Sequence, residues 1–116
     1  MRACIFTNAC LANSICTPSQ TILLKGKHSH INAKIDNRFP FDTTEITFPQ
    51  IFQNNRYKTS VFGKLRFDNN PIGIGDFLIL PGQSNYIDPR FITNEEDITI
   101  NGYITDIVTD LALETG

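Results

Sequence analysis

The sequence has no excess of positive charge. Its ten Lys and Arg stand against twelve Asp and Glu, a net charge of -2, so it lacks the basic footprint by which proteins hold nucleic acid or an anionic membrane. Neither is expected as a partner. A cysteine framework is missing too: Cys4, Cys10 and Cys16 are an odd number crowded at one end, and their even steps match neither a C-x-x-C zinc pattern nor a set of paired disulfides. At least one thiol should be free. No basic head with an unbroken apolar run opens the chain, because Met1 to Ile15 carries one Arg among mixed Asn and Ser; this is the make-up of neither an export signal nor a spanning helix. There is no internal repeat and no low-complexity tract.

What is present is a globular composition, 41% hydrophobic against 19% charged over 116 residues, enough for one domain or part of one and short for an α/β enzyme. Ala3 to Leu11 is apolar and β-prone and predicts a strand. Thr17 suits an N-cap, Pro18 the first helical position and Gly26 a C-terminal stop, which predicts a helix from about Pro18 to Lys25. Lys27 to Thr44 has no periodicity and predicts a surface loop. Thr47 can cap a second helix through Phe48, Pro49, Ile51 and Phe52, after which Tyr57 to Phe62 reads as a strand delivering Gly63-Lys64 at its C-terminal end. Helix followed by strand points to α/β layering. Asp68 to Asn101, rich in Gly, Pro, Asn and Asp around Phe77-Leu78-Ile79-Leu80, reads as a long irregular excursion. Ile104, Ile107, Val108 and Leu111 fall on one helical stripe, predicting a helix from about Tyr103 to Glu114.

Cys16, beside a helix start, would lie near unpaired backbone N–H groups and the positive end of the helix dipole, which favours an anion and lowers a thiol's pKa. A buried free cysteine acting as a small hydrophobe is the other reading of the same position. Lys64 follows a glycine at the C-terminal end of a strand, the edge where open α/β sheets place ligands; a solvated surface lysine is the alternative. His28 and His30 have the spacing of a metal pair without a carboxylate or Cys nearby, and Glu95-Glu96-Asp97 reads as a solvated turn rather than a calcium site.

The segment Phe6 to His30 resembles the first sulfatase signature, in which a strand leads to C-x-P-S-R and a helix ending in Leu-Thr-Gly-Arg/Lys; Cys16, Pro18, Ser19, Leu24, Gly26 and Lys27 fall on it. Arg56 to Phe67 resembles the second signature, G-Y-x-T-x-x-x-G-K-x-H, at Tyr57, Thr59, Gly63 and Lys64. Leu80 to Phe91 and Gly102 to Glu114 look like segments of sulfatases acting on sulfated sugars of the heparan and N-acetylglucosamine type. The resemblance implies an α/β chain, part of an alkaline-phosphatase-like three-layer α/β/α domain, occupying residues 1-116 as an incomplete N-terminal catalytic region. It implies sulfuric-ester hydrolysis on a sulfated carbohydrate. Cys16 would be oxidised to formylglycine by a formylglycine-generating enzyme and supply the nucleophilic oxygen, while calcium and lysines, Lys64 among them, neutralise the sulfate. Pro18, Ser19, Gln20 and Arg66 take motif or sulfate-binding positions, and Cys16, once converted, that of a metal ligand.

Four positions depart from the pattern. Gln20 stands where the signature has arginine, Lys25 where it has threonine, Arg56 where the second signature opens on glycine, and Arg66 where it ends on histidine. Gln20 cannot offer a charged fork, and Arg66 cannot carry a proton as a neutral imidazole does. Family members also begin with a strand bearing two aspartates that bind calcium, and supply further ligands later; the chain is expected to lack both and to be inactive alone. Members are usually periplasmic or secreted. Two other readings stay open: a degenerate, non-catalytic remnant acting as a binding module, and a phosphate-ester or phosphonate hydrolase of the same superfamily.

Overall fold

The computed structural model describes residues 4–65, 72–94 and 96–115. Arg66 and Glu95, and the ends of the segments read around Ala3 and Asp68, lie outside them. The first helix, α1, spans Cys16–Lys25 and starts two residues before the expected Pro18. Thr17 is therefore not the N-cap. Ile15 takes that place without a side-chain cap, and the acceptor comes from a distant loop, where Asn37 Oδ1 receives the Thr17 N–H at 3.2 Å. Pro18 still sits in the first turn, where no backbone N–H has an intrahelical partner to lose. Gly26 ends the helix as expected, in the left-handed conformation (φ 65°) with its N–H on Ile22 O at 2.8 Å.

The Lys27 to Thr44 stretch is not wholly loop: α2, Ser29–Asn32, makes one turn, too short to leave a period in the sequence. Helix α3, Phe48–Asn54, begins at Thr47, whose N–H is accepted by Gln50 Oε1 at 2.7 Å, one arm of a capping box. Its C-terminal end displaces the next element. Arg56 adopts φ 67°, the Tyr57 N–H returns to Phe52 O at 3.0 Å, and the Phe52 and Tyr57 rings meet edge to face at 5.4 Å. With Tyr57 used to close the helix, strand β1 runs over Ser60–Gly63, three residues later than expected.

The stretch read as an irregular excursion holds three strands: β2 (Asp76–Ile79), β3 (Arg90–Ile92) and β4 (Asp97–Thr99). The sheet order is β1-β2-β3-β4, with β1 and β2 parallel and the other pairs antiparallel. These strands are only three or four residues long, and left-handed residues at Gly73, Gly82, Ser84 and Asp88 break the chain between them, so no alternation persists long enough to be seen. Leu65, Phe77 and Ile79 form the buried core with Val61, Ile74 and Ile92 packed on it, and Phe91 is wholly inaccessible. Helix α4, Ile104–Glu114, follows its predicted bounds: Ile104, Ile107, Val108 and Leu111 are its half-buried positions. Val108 packs over Gly63, where an added Cβ would lie 3.5 Å from its Cγ1.

The expected strand over Ala3 to Leu11 is absent from its described residues, and Ile5, Phe6 and Leu11 are exposed. Apolar, β-prone residues make a strand only when a neighbouring strand accepts their hydrogen bonds, and the described sheet begins at β1. A charged cluster ties α1 to the segment before α3. The Lys25 side chain, 1% exposed, places its ammonium 3.1 Å from Glu45, 3.8 Å from Asp42 and 4.8 Å from the centre of the Phe41 ring. Lys27 reaches the other Glu45 oxygen at 2.6 Å. No helix among the described residues is long and apolar enough to cross a membrane.

Candidate active site

Strands β1 and β2 run parallel, so their C-terminal ends share one edge of the sheet, the place where open α/β sheets hold ligands. Gly63 ends β1 with φ 106°, a conformation that a side chain resists, and turns the chain so that Lys64 leaves the sheet exposed between buried Gly63 and Leu65. Helix α1 reaches the same edge. Gln20, one turn into α1, donates from Nε2 to the Lys64 carbonyl at 2.8 Å. Gln20 stands where the sulfatase signature has arginine, and here it serves as a clamp between helix and sheet edge.

Cys16 is the first helical residue and is partly exposed. Its Sγ lies 3.5 Å from Asn37 Oδ1. Burial opposes ionisation of this thiol, but hydrogen bonding with Asn37 and with the Thr17 side chain and backbone, and the Lys64 charge, outweigh it and hold Cys16 below the ordinary thiol range. The Lys64 ammonium donates to Gln83 Oε1 at 2.7 Å.

The free N–H groups expected around Cys16 are mostly committed. Thr17 gives its N–H to Asn37, Pro18 has none and Ser19 bonds Ile15 O at 3.0 Å. Attraction for an anion here rests on Lys64 and the helix dipole, the latter worth about 0.3–1 kcal/mol at an exposed end. Pro18 is fully buried and serves packing, while Ser19 and Gln20 are half-buried. Arg66 falls outside the described residues. His28 and His30 stack at 5.9 Å on an exposed turn away from these groups in sequence, and no third ligand joins them: among the described residues no three His, Cys, Asp or Glu gather. Asp97 lies in β4 and pairs with Arg90, while the Glu96 carbonyl accepts the Thr93 hydroxyl at 2.7 Å.

Calcium takes about 6–8 oxygen ligands, carboxylates prominent among them. Beside Cys16 the structure offers the neutral oxygens of Asn37 and Thr17 and the positive charge of Lys64. This donor set does not fit calcium. It suits an anion. Asn37 and Gln83 were invisible to sequence reasoning; both are polar loop residues, and only the pairing of distant segments marks them.

No protein-family model matches the chain. Over 111 residues, 93% of its length, it is 37% identical to the N-acetylglucosamine-6-O-sulfatase of Bacteroides thetaiotaomicron, of which it spans 20%. Its fold matches that of BT4656, solved in complex with its substrate D-glucosamine-2-N,6-O-disulfate, with a TM-score of 0.86 at 36% identity, covering 93% of this chain and 22% of that one. Ps i-CgsB shares the fold at a TM-score of 0.78 and 18% identity, over 90% of this chain and 31% of its own. The chain thus spans about a fifth of the curated relative it matches. By sequence and by fold it is similar to a segment of the sulfatases, with the α/β architecture of their alkaline-phosphatase-like domain.

Proposed function

We propose that this chain carries the sulfate-ester-binding part of a sulfuric-ester hydrolase site, with sulfated carbohydrate as its ligand class. One observation carries the reading: Gln20, one turn into the helix that Cys16 begins, bonds the carbonyl of Lys64, the residue after β1, at 2.8 Å, which joins the start of α1 to the end of the strand. The substrate named for BT4656, a sulfated glucosamine, supports the ligand class.

A sulfate monoester carries delocalised negative charge, and its cleavage requires neutralisation of that charge together with an aligned nucleophile. Lys64 supplies a cation for the sulfate oxygens. The dipole of α1 adds to it, and Asn37 fixes Cys16 at the helix start. Converted to formylglycine by a formylglycine-generating enzyme, Cys16 would supply a hydrated aldehyde as nucleophile. A second reading, a degenerate module that binds without turnover, is favoured by Gln20: it cannot make the charged fork of the signature arginine, and its amide is spent on the Lys64 carbonyl.

Calorimetric titration of the purified chain with glucosamine 6-sulfate tests the proposal. Saturable binding, weakened about tenfold in Lys64→Met as one charge-assisted contact is lost, supports it. Binding indifferent to Lys64→Met, or shared equally with unsulfated glucosamine, sinks it.

A further inference from the structure

Lys64 lies beyond β1 with its side chain exposed, and an exposed lysine ordinarily samples many rotamers and gives them up when it binds an anion. Here its position is fixed at three points. Gly63 O accepts the Leu80 N–H at 3.0 Å, Gln20 holds the Lys64 carbonyl at 2.8 Å, and Gln83 Oε1 accepts from the ammonium at 2.7 Å. The first two place the backbone, and Gln83 holds the charge.

Gln83 reaches Lys64 through the sheet register. Gly63 pairs with Ile79, so the turn after β2 rises beside the residue after β1. That turn is held in an unusual shape: Gly82 has φ 64° and Ser84, which is not glycine, has φ 41°. The Ser84 hydroxyl is buried without a hydrogen-bond partner. Strain and an unsatisfied hydroxyl flank Gln83, whose amide accepts from the ammonium, and such costs persist where surrounding structure enforces a geometry.

We propose that Gln83 is a positioning residue that orients the Lys64 ammonium toward the sulfate oxygens of a ligand held beside Cys16; this rests on the sulfate-ester reading above. A neutral amide suits the role. It accepts a hydrogen bond from the ammonium without cancelling the charge, whereas a carboxylate in its place would neutralise Lys64 and an apolar side chain would release it.

The test follows the Lys64 side chain by NMR relaxation of its ε-methylene and, in parallel, titrates the whole chain with inorganic sulfate and with glucosamine 6-sulfate. In Gln83→Leu the Lys64 order parameter falls to that of the exposed Lys58 and both ligands bind several-fold more weakly. In Gln83→Glu the order parameter is kept while binding weakens, a split that a merely structural role does not produce. Gln83→Asn, which keeps the amide but shortens its reach, gives an intermediate loss of order and serves if Gln83→Leu does not fold. Wild-type order and affinity in Gln83→Leu or Gln83→Asn overturn the positioning role. If Lys64→Met binds sulfate as the wild type does, the sulfate-ester reading fails, and the Lys64 order parameter still decides whether Gln83 holds the ammonium.

Discussion

Asn37 bridges Cys16 and Thr17 from a loop twenty-one residues beyond the cysteine: its Oδ1 lies 3.5 Å from the Cys16 sulfur and 3.2 Å from the Thr17 nitrogen. One side chain thus caps the helix and fixes the group at its first position. It stands in for the cap that Thr17 does not provide.

Replacing it tests that arrangement. The Cys16 thiol sits below the ordinary range because hydrogen bonding and the Lys64 charge outweigh the opposing effect of burial. Removing Asn37 takes away the largest of the favourable contributions, so Asn37→Leu should move the midpoint of Cys16 alkylation to higher pH. Lys64→Met should move it the same way by a smaller amount. Peptide-resolved mass spectrometry after timed iodoacetamide labelling reads both; an unchanged midpoint in Asn37→Leu would remove Asn37 from the site.

Acid stability should follow the carboxylates around α1. Hydrogen bonds from Lys27 and then Lys25 hold Glu45 below its usual range, those of the Thr44 backbone and hydroxyl do so for Asp42, and those of the Arg38 backbone and guanidinium for Asp36. A depressed folded-state pKa stabilises fully above the unfolded value of about 4 and is lost as pH falls through the folded value. Melting temperature is therefore expected to hold from neutral pH to about 5 and to drop below about 4. Glu45→Gln should melt lower than wild type at pH 7, because the buried Lys25 ammonium loses its nearest partner, and should show a shallower acid decline. Equal melting at pH 7 would contradict this.

The turn into Lys64 depends on glycine. At Gly63 φ is 106°, and an added Cβ would meet Val108 at an ordinary 3.5 Å, so the penalty of Gly63→Ala lies in the backbone rather than in collision. Urea denaturation is expected to record a loss of about 1–3 kcal/mol. No loss would show that the turn relaxes freely.

The signatures that made Cys16 and Lys64 legible are local: each residue stands in a short run of fixed spacing beside a helix start or a strand end. Helices α1, α3 and α4 were legible for a similar reason, since Gly26, Thr47 and the Ile104 to Leu111 stripe each mark a boundary or a face, whereas the single turn of α2 left no period. Strands β2, β3 and β4 were not, because runs of three or four residues carry too little alternation to stand out from their turns. Ala3 to Leu11 misled in the opposite sense. Its residues favour a strand, but strand formation depends on a neighbour that propensity does not reveal. Asn37 and Gln83 escaped because their contacts to Cys16 and Lys64 span 21 and 19 residues, distances over which local pattern says nothing about contact.

Gln20 bears on maturation. It lacks the charge of the arginine that the resemblance gives to recognition by a formylglycine-generating enzyme, and its amide is engaged with Lys64. Cys16 should therefore remain a thiol when the chain is co-expressed with such an enzyme, and Gln20→Arg should raise the converted fraction. The mass of the tryptic peptide containing Cys16 decides it, and a substantial aldehyde fraction in the wild-type chain would show that the substitution does not block conversion.

A crystal structure of the chain with glucosamine 6-sulfate bound would show where the ligand sits. The sulfate group is expected between α1 and the end of β1, with an oxygen within about 3 Å of Lys64 Nζ and the sulfur facing Cys16. A sulfate bound elsewhere, against His28 and His30 or Lys58 and out of reach of Lys64, would contradict it.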